Sequence, residues 1–452
     1  MKATAPLSVL AAEGLKAAVS RALDRLAEER RRRSFTSIDL LESALGLPPA
    51  SFPVVLVSAA APAPRLGGVQ AALLARLGEE ERRRPVALLY PRHPRGGWRL
   101  ELSAGAVRHA AELPATPLPD PTVLADAELE RVVAWAVERC GARALHVEGL
   151  AGLPLQSLAR LADEGLPLIL AVHDFALFCP RPHLLEEPAR RFCGYSRDPE
   201  RCAACLGASW PEAPPLQAAR RRLGAALLGR AAAAVFPADF LRRAHADLFP
   251  GALPARSPVI PPARPPGRTD RGAREPAGPL RRVALIGGAA EHKGAEVFAA
   301  TVARLAGRGL TFTVYGGGDP ALLHRLRRLP GVLVRGYYRS GSLPRLLRRD
   351  RIDLALLLSI VPESYSLALS ECRLAGVPVA AFDHGAVADR IRAEGGGLLI
   401  DPAAGAAGVA ELVTSLARRE VAMPPLDADL DADSACAVAD RWLALYRELG
   451  LE

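Results

Sequence analysis

At 452 residues the chain is too long for one ordinary domain and has material for two or three sizeable cores. Half of its residues are hydrophobic, and Leu, Ala and Val far outnumber the aromatics, as layered α/β domains require. Lys and Arg (58) exceed Asp and Glu (49) by nine, which suits phosphate-bearing ligands, anionic lipid or nucleic acid without choosing among them, and no run approaches the roughly 18 apolar residues of a membrane span.

Residues 1–50 read as a helical extension. The stretch "MKATAPLSVLAAEGLKAAVSRALDRLAEERRRR" is periodic, is broken by Glu13 and Lys16, and ends in Arg30–Arg33. It lacks the continuous apolar core of a signal peptide. Such a helix packs on its own protein or lies on a membrane surface. The expected compartment is the cytoplasm, with peripheral attachment at the inner face of the membrane as a variant. From residue 51 to 262 apolar strands alternate with amphipathic helices. "FPVVLVSA" (52–59), "PVALLY" (85–90), "RALHVE" (143–148), "LPLILAVHD" (166–174) and "AAAAVFP" (231–237) are the clearest strands. Continuous apolar strands separated by helices predict a parallel sheet covered on both faces.

The segment 257–280 carries seven prolines and no apolar period, the composition of a linker. The alternation restarts over 281–432 with "RRVALIGG", "LTFTVYGGG", "GVLVRGYY", "RIDLALLLS", "GVPVAAFD" and "GGGLLI". Two tandem doubly wound, Rossmann-like domains are therefore expected to face one cleft, with ligands beyond the carboxyl ends of the strands. Residues 433–452 form a last helix, with Trp442 and Tyr446 four apart, that docks back toward the N-terminal domain.

Three groups of residues carry chemistry. In "PESYSLALSECRLAGVPVAA" (362–381), Glu363 and Glu371 stand eight apart beside an apolar strand. If a helix runs between them, they are separated by about 12 Å along its axis and about 80° around it. One can then grip sugar hydroxyls and the other ribose hydroxyls, with a diphosphate on the amides of Tyr365, Ser366 and Leu367 between them. Two solvated acids near a sheet edge is the plain reading of the spacing alone. His173-Asp174 ends a buried strand, where the imidazole can donate to a sugar hydroxyl or phosphate oxygen and Asp174 can orient it. Finally, four of the seven cysteines (Cys179, Cys193, Cys202 and Cys205) fall in an insertion at 179–206 that reads as loop. A four-thiolate structural zinc site, free thiols and disulfides are the three readings, with His183 able to replace one ligand. Four thiolates leave no open position, so such zinc would not be catalytic.

The acid pair resembles the Glu-x7-Glu signature of retaining, nucleotide-sugar-dependent glycosyltransferases with the GT-B fold. "VALIGGAAEHKG" (283–294) is similar to the family's first strand and Lys-Gly turn in the second domain, and "HGAVADRI…GGGLLI" to its closing loop. "VLVSAAAPAPRLGGVQAALLARL" and "LILAVHDFALFCP" resemble the opening strand with its Gly-rich loop and the His-Asp stretch of the first domain. The likeness runs over about residues 52–450. It implies that Glu363 meets the donor sugar near its anomeric carbon, that Glu371 meets the ribose, and that Lys293 neutralises the diphosphate. It further implies that Gly287, Gly288, Gly67 and Gly68 let backbone approach phosphate, and that Tyr337 or Tyr338 stacks on the base. His173 joins Glu363 and Lys293 as the catalytic set.

One position departs from the family: its Arg before the Lys is absent, and Gly288-Ala289-Ala290 stands there. His292, another cation or the helix start would have to substitute. The implied partners are a nucleotide-sugar donor and a glycan, lipid or small-molecule acceptor, in a setting such as polysaccharide biosynthesis. No nucleic acid and no catalytic metal is expected. A sugar-nucleotide epimerase of the same fold and a catalytically degenerate, zinc-stapled binding protein are the rival readings.

Overall fold

The structure, a computed structural model, describes residues 52–62, 68–92, 96–104, 107–113, 120–211, 216–266 and 279–452. The expected extension at 1–50, Gly67 and half of the Pro-rich linker, residues 267–278, lie outside the described residues.

The first sheet has seven strands: β1 (Val54–Ser58), β2 (Val86–Pro91), β3 (Trp98–Ala104), β4 (Val107–Leu113), β5 (Ala144–Glu148), β6 (Leu168–Ala171) and β9 (Ala233–Val235). Their order is β4-β3-β2-β1-β5-β6-β9. Alternate residues of β1 feed opposite faces, with Val55 and Val57 in one core cluster and Val54 and Leu56 in the other. That two-sided burial is what a continuous apolar strand between helices requires, and each such side chain contributes about 1.5–3 kcal/mol. The sheet is not wholly parallel, because β2, β3 and β4 form an antiparallel meander at one edge. Between β2 and the helix Ala127–Cys140 the chain adds strands beyond those expected, the first of them "WRLELSA", whose alternate polar residues Arg99, Glu101 and Ser103 are buried; Arg99 and Glu101 pair with each other at 3.0 Å.

The insertion at 179–206 is more ordered than a loop. It holds the short hairpin β7 (Leu185–Glu186) and β8 (Arg191–Phe192), then the helix Pro199–Gly207, capped by Asp198. The second sheet is parallel throughout: β12 (Val332–Gly336), β11 (Thr311–Tyr315), β10 (Arg282–Ile286), β13 (Leu354–Leu357), β14 (Val379–Phe382) and β15 (Gly397–Ile400), in that order.

The last helix, Ala435–Glu448, packs on the first domain. Its Val438, Trp442, Leu445 and Tyr446 share a core cluster with Leu73 and Leu77 of the helix Gly68–Glu80. Asp433, just before it, ties the crossing in place. Its carboxylate takes Arg264 Nε at 3.0 Å and the Tyr365 hydroxyl at 3.0 Å.

Candidate active site

A cleft of about 650 Å³ opens between the carboxyl ends of the two sheets. Gly68, His173 and Asp174 line it from the first domain. Gly287, Lys293, Tyr337, Glu363, Tyr365, Ser366, Leu367 and Glu371 line it from the second. Residues called from distant segments thus converge on one space.

Glu363 leaves β13 on a loop rather than on a helix, because the helix runs only from Leu367 to Leu374. The helical arithmetic for the acid pair therefore does not apply, although both carboxylates reach the cleft. The loop is held from below by the turn at Gly385: Ala386 N–H donates to Glu363 O at 2.9 Å, and a Cβ on Gly385 (φ +69°) would lie 2.7 Å from Glu363 N. Lys293 Nζ stands 3.0 Å from Glu363 Oε1. Burial favours the neutral acid, but Lys293 outweighs it and holds Glu363 below the usual carboxylate range. Ser366, at φ +75°, starts the helix without a side-chain cap, which leaves its first amides to other acceptors.

Glu371 is 5% exposed and accepts the Gly341 N–H at 2.8 Å. Burial pushes its carboxyl up to about 7. Tyr337 is 70% exposed with its ring against Gly317, whereas Tyr338, which also lines the cleft, is partly buried against a core of the second domain. Gly288 does not line the cleft. Its requirement for glycine (φ +84°) comes from packing, since a Cβ there would lie 2.0 Å from Gly317 O.

One expectation about the first domain changes. Asp174 does not orient His173; it accepts the Ala176 N–H at 2.9 Å. The partner of His173 is Glu148, with Nε2 to Oε1 at 2.8 Å. Glu148 was not singled out in the sequence, although an acid closing the apolar strand "ALHVE" was a usable signal. The insertion reaches across to the turn that carries Lys293: His183 stacks on His292 with centroids 4.9 Å apart, and Arg190 Nε lies 3.1 Å from Glu291. The place of the absent Arg is thus bordered by two imidazoles, one from each domain.

Cys179, Cys193, Cys202 and Cys205 line one small cavity of about 20 Å³. The Glu187 N–H points at Cys205 Sγ (3.4 Å), and the Cys202 thiol at Ser196 O (3.5 Å). No disulfide joins them, and among the described residues no group of three or more His, Cys, Asp or Glu side chains is placed to share a metal ion. Among the described residues, too, no helix is long and apolar enough to cross a membrane.

Residues 281–418 match the model of the family described as Glycosyl transferases group 1. No curated protein matches the sequence. In fold the chain is similar to sucrose-phosphate synthase from Thermosynechococcus elongatus (15% identity over 88% of this chain and 99% of that one, TM-score 0.59). It is also similar to a UDP-forming α,α-trehalose-phosphate synthase from Burkholderia xenovorans (14%, 88% and 99%, TM-score 0.54). A third likeness is to HepE of Anabaena in complex with UDP and glucose (16%, 88% and 98%, TM-score 0.52). At these identities the likeness speaks for the fold, the two-sheet GT-B architecture. With that fold around it, the group 1 match over the second sheet marks the chain as a glycosyltransferase.

Proposed function

We propose that the protein transfers a sugar from a nucleoside-diphosphate sugar to a hydroxyl of a glycan, lipid or small-molecule acceptor, with retention at the anomeric carbon. The observation that carries this reading is the Lys293–Glu363 pair at 3.0 Å, set in the cleft beside an uncapped helix start. Breaking the bond between the anomeric carbon and the diphosphate puts negative charge on the leaving group and positive character on the sugar. Lys293 and the amides of Ser366 and Leu367 answer the first, and Glu363 the second. Glu371 takes the ribose hydroxyls and Tyr337 the base, while Gly68 and Gly287 leave room for backbone near phosphate. UDP sugars head the candidate donors, because HepE is known in complex with UDP and glucose.

The test is turnover of UDP-glucose and a panel of other nucleotide sugars, chosen by thermal shift, with Glu363→Ala and Lys293→Ala. Both variants should fold normally and lose activity by orders of magnitude; normal turnover in both would overturn the reading. Release of UDP with an altered free sugar, and no acceptor needed, would mark an epimerase instead. The anomeric configuration of the product, read by NMR, tests retention. A zinc ion on Cys179, Cys193, Cys202 and Cys205 would be structural in this scheme. Elemental analysis of protein purified in reducing buffer decides it: one zinc per chain means that the sulfurs close on an ion, and none means that the cavity is thiol packing.

A further inference from the structure

All five residues of β5 are buried, and Glu148 at its end is only 4% exposed. A carboxylate withdrawn from water needs compensating partners. Arg76 Nη2 lies 3.0 Å from Oε2, and His146 Nε2, on a ring whose basicity burial lowers, lies 3.1 Å from it. The other oxygen, Oε1, bonds His173 Nε2 at 2.8 Å. Burial alone would favour the neutral acid, but Arg76 and the two imidazoles outweigh it and keep Glu148 ionised.

A second layer holds this arrangement. Arg76 also pairs with Glu80 at 3.0 Å, and its guanidinium lies 4.5 Å from the ring centroid of Trp442. His146 stacks on the same indole at 4.4 Å, and its Nδ1 is 2.6 Å from the Tyr446 hydroxyl. Trp442 and Tyr446 belong to the returning C-terminal helix. Glu148 is thus held by groups from a helix of the first domain and from its own strand, and the end of the chain backs both of them.

An ionised carboxylate only accepts hydrogen bonds, so Nε2 of His173 must carry the proton that joins them. In the neutral ring the lone pair is then on Nδ1. The imidazole borders both the small cavity over Glu148 and the main cleft.

We propose that Glu148 is a positioning residue: it fixes His173 as the Nε2–H tautomer, so that Nδ1 is offered to the cleft as an acceptor for a hydroxyl of the bound sugar. The nature of that hydroxyl rests on the glycosyltransferase reading; the tautomer does not. A hydroxyl facing Nδ1 donates its hydrogen and is oriented by it. A ring flipped or re-protonated by loss of Glu148 would present a donor instead.

The test uses the full chain labelled with ¹⁵N-histidine, with long-range ¹H–¹⁵N spectra at pH 8 and His173 assigned by comparison with His173→Asn. The wild type should show a single Nε2–H tautomer, with Nδ1 at the pyridine-type position. In Glu148→Gln, which fills the same space and both donates and accepts, Nδ1 should move away from that position as the tautomers mix. An Nδ1–H tautomer in the wild type would overturn the proposal without any variant, as would an unchanged His173 spectrum in a folded Glu148→Gln protein. A chain with the expected tautomer and no transfer from any nucleotide sugar would refute the proposed function and leave this inference standing.

Discussion

Glu371 ties stability and ligand binding to pH in opposite directions. Its side chain is 5% exposed, and burial raises its carboxyl from an ordinary 4.5 to about 7, against the Gly341 N–H that favours the anion. Between pH 4.5 and 7 the folded chain therefore holds a proton that the unfolded chain has lost. Stability falls as pH rises through that window and levels off above it. A shift of this size corresponds to about 3 kcal/mol between pH 4 and pH 8. Glu371→Gln keeps an oxygen for Gly341 and never ionises, so it should escape the loss. Urea unfolding of both proteins from pH 4 to pH 8 is the assay: the variant should match the wild type at pH 4 and be more stable by up to about 3 kcal/mol at pH 8. Nearby Arg264 and Asp433 act on the Glu371 charge in opposite senses, the first favouring it and the second opposing it. Nucleotide binding should run the other way. If the carboxylate takes the ribose hydroxyls, UDP affinity falls as pH drops below 7 in the wild type, and the variant binds about tenfold more weakly at pH 8, the worth of a charge-assisted hydrogen bond. Parallel stability curves would refute the raised carboxyl, and equal UDP affinity at pH 8 would refute its ribose role.

Tyr337→Ala removes a largely exposed ring, so melting should not move while UDP binds about tenfold more weakly, as expected for a base stacked at about 1–3 kcal/mol; unchanged calorimetric affinity would take the base away from Tyr337. Gly288→Ala forces a side chain into a backbone conformation at φ +84° and against Gly317 O, and should cost more than about 3 kcal/mol of C-terminal domain stability by urea unfolding. Wild-type stability there would mean that the two glycine turns are not in contact. Arg190→Ala breaks an exposed ion pair to Glu291 and should change the melting temperature little, since such pairs contribute about 0–1 kcal/mol; a drop of many degrees would show that the insertion holds the domains together.

The parts that could be read from the sequence are those set by local pattern. Apolar runs such as "VVLVS" and "LALL" are buried strands because helices cover both faces, and their order places Lys293, Glu363 and His173 at the carboxyl ends facing one gap. The meander β3–β4 escaped because its alternation was in view but its polar half is buried against itself, through Arg99–Glu101, instead of facing water. The ordered insertion also had a local sign, Asp198 before Pro199 at a helix start. The support of His173 had almost none. Arg76, Glu148 and Trp442 are brought together by the return of the chain end, and no spacing encodes a contact between residues 146 and 446.

The charge in the cleft bears on how the proposed transfer would proceed without the second cation of the glycosyltransferases that the chain resembles. Lys293 is the only full positive charge beside the expected phosphate position among the described lining residues, and in the free protein Glu363 already occupies it. The neighbouring imidazoles add no charge at neutral pH. Burial lowers His292 to about 4, with Lys293 and His183 pushing the same way, and burial likewise lowers His183. Leu185 N–H donates to His183 Nδ1 at 3.2 Å, so its Nε2 carries the ring proton and serves as a neutral donor. On the proposed function, a diphosphate entering the cleft would exchange partners: it would take Lys293 from Glu363, and the freed carboxylate would turn to the sugar hydroxyls. Both groups are partly exposed, at 30% and 15%, so the exchange starts from a pair already wet on one side and avoids stranding a buried charge. On the same proposal, separation of Lys293 and Glu363 would follow from having both the phosphate and the sugar in place, and would put the cation and the anion on opposite sides of the bond that breaks.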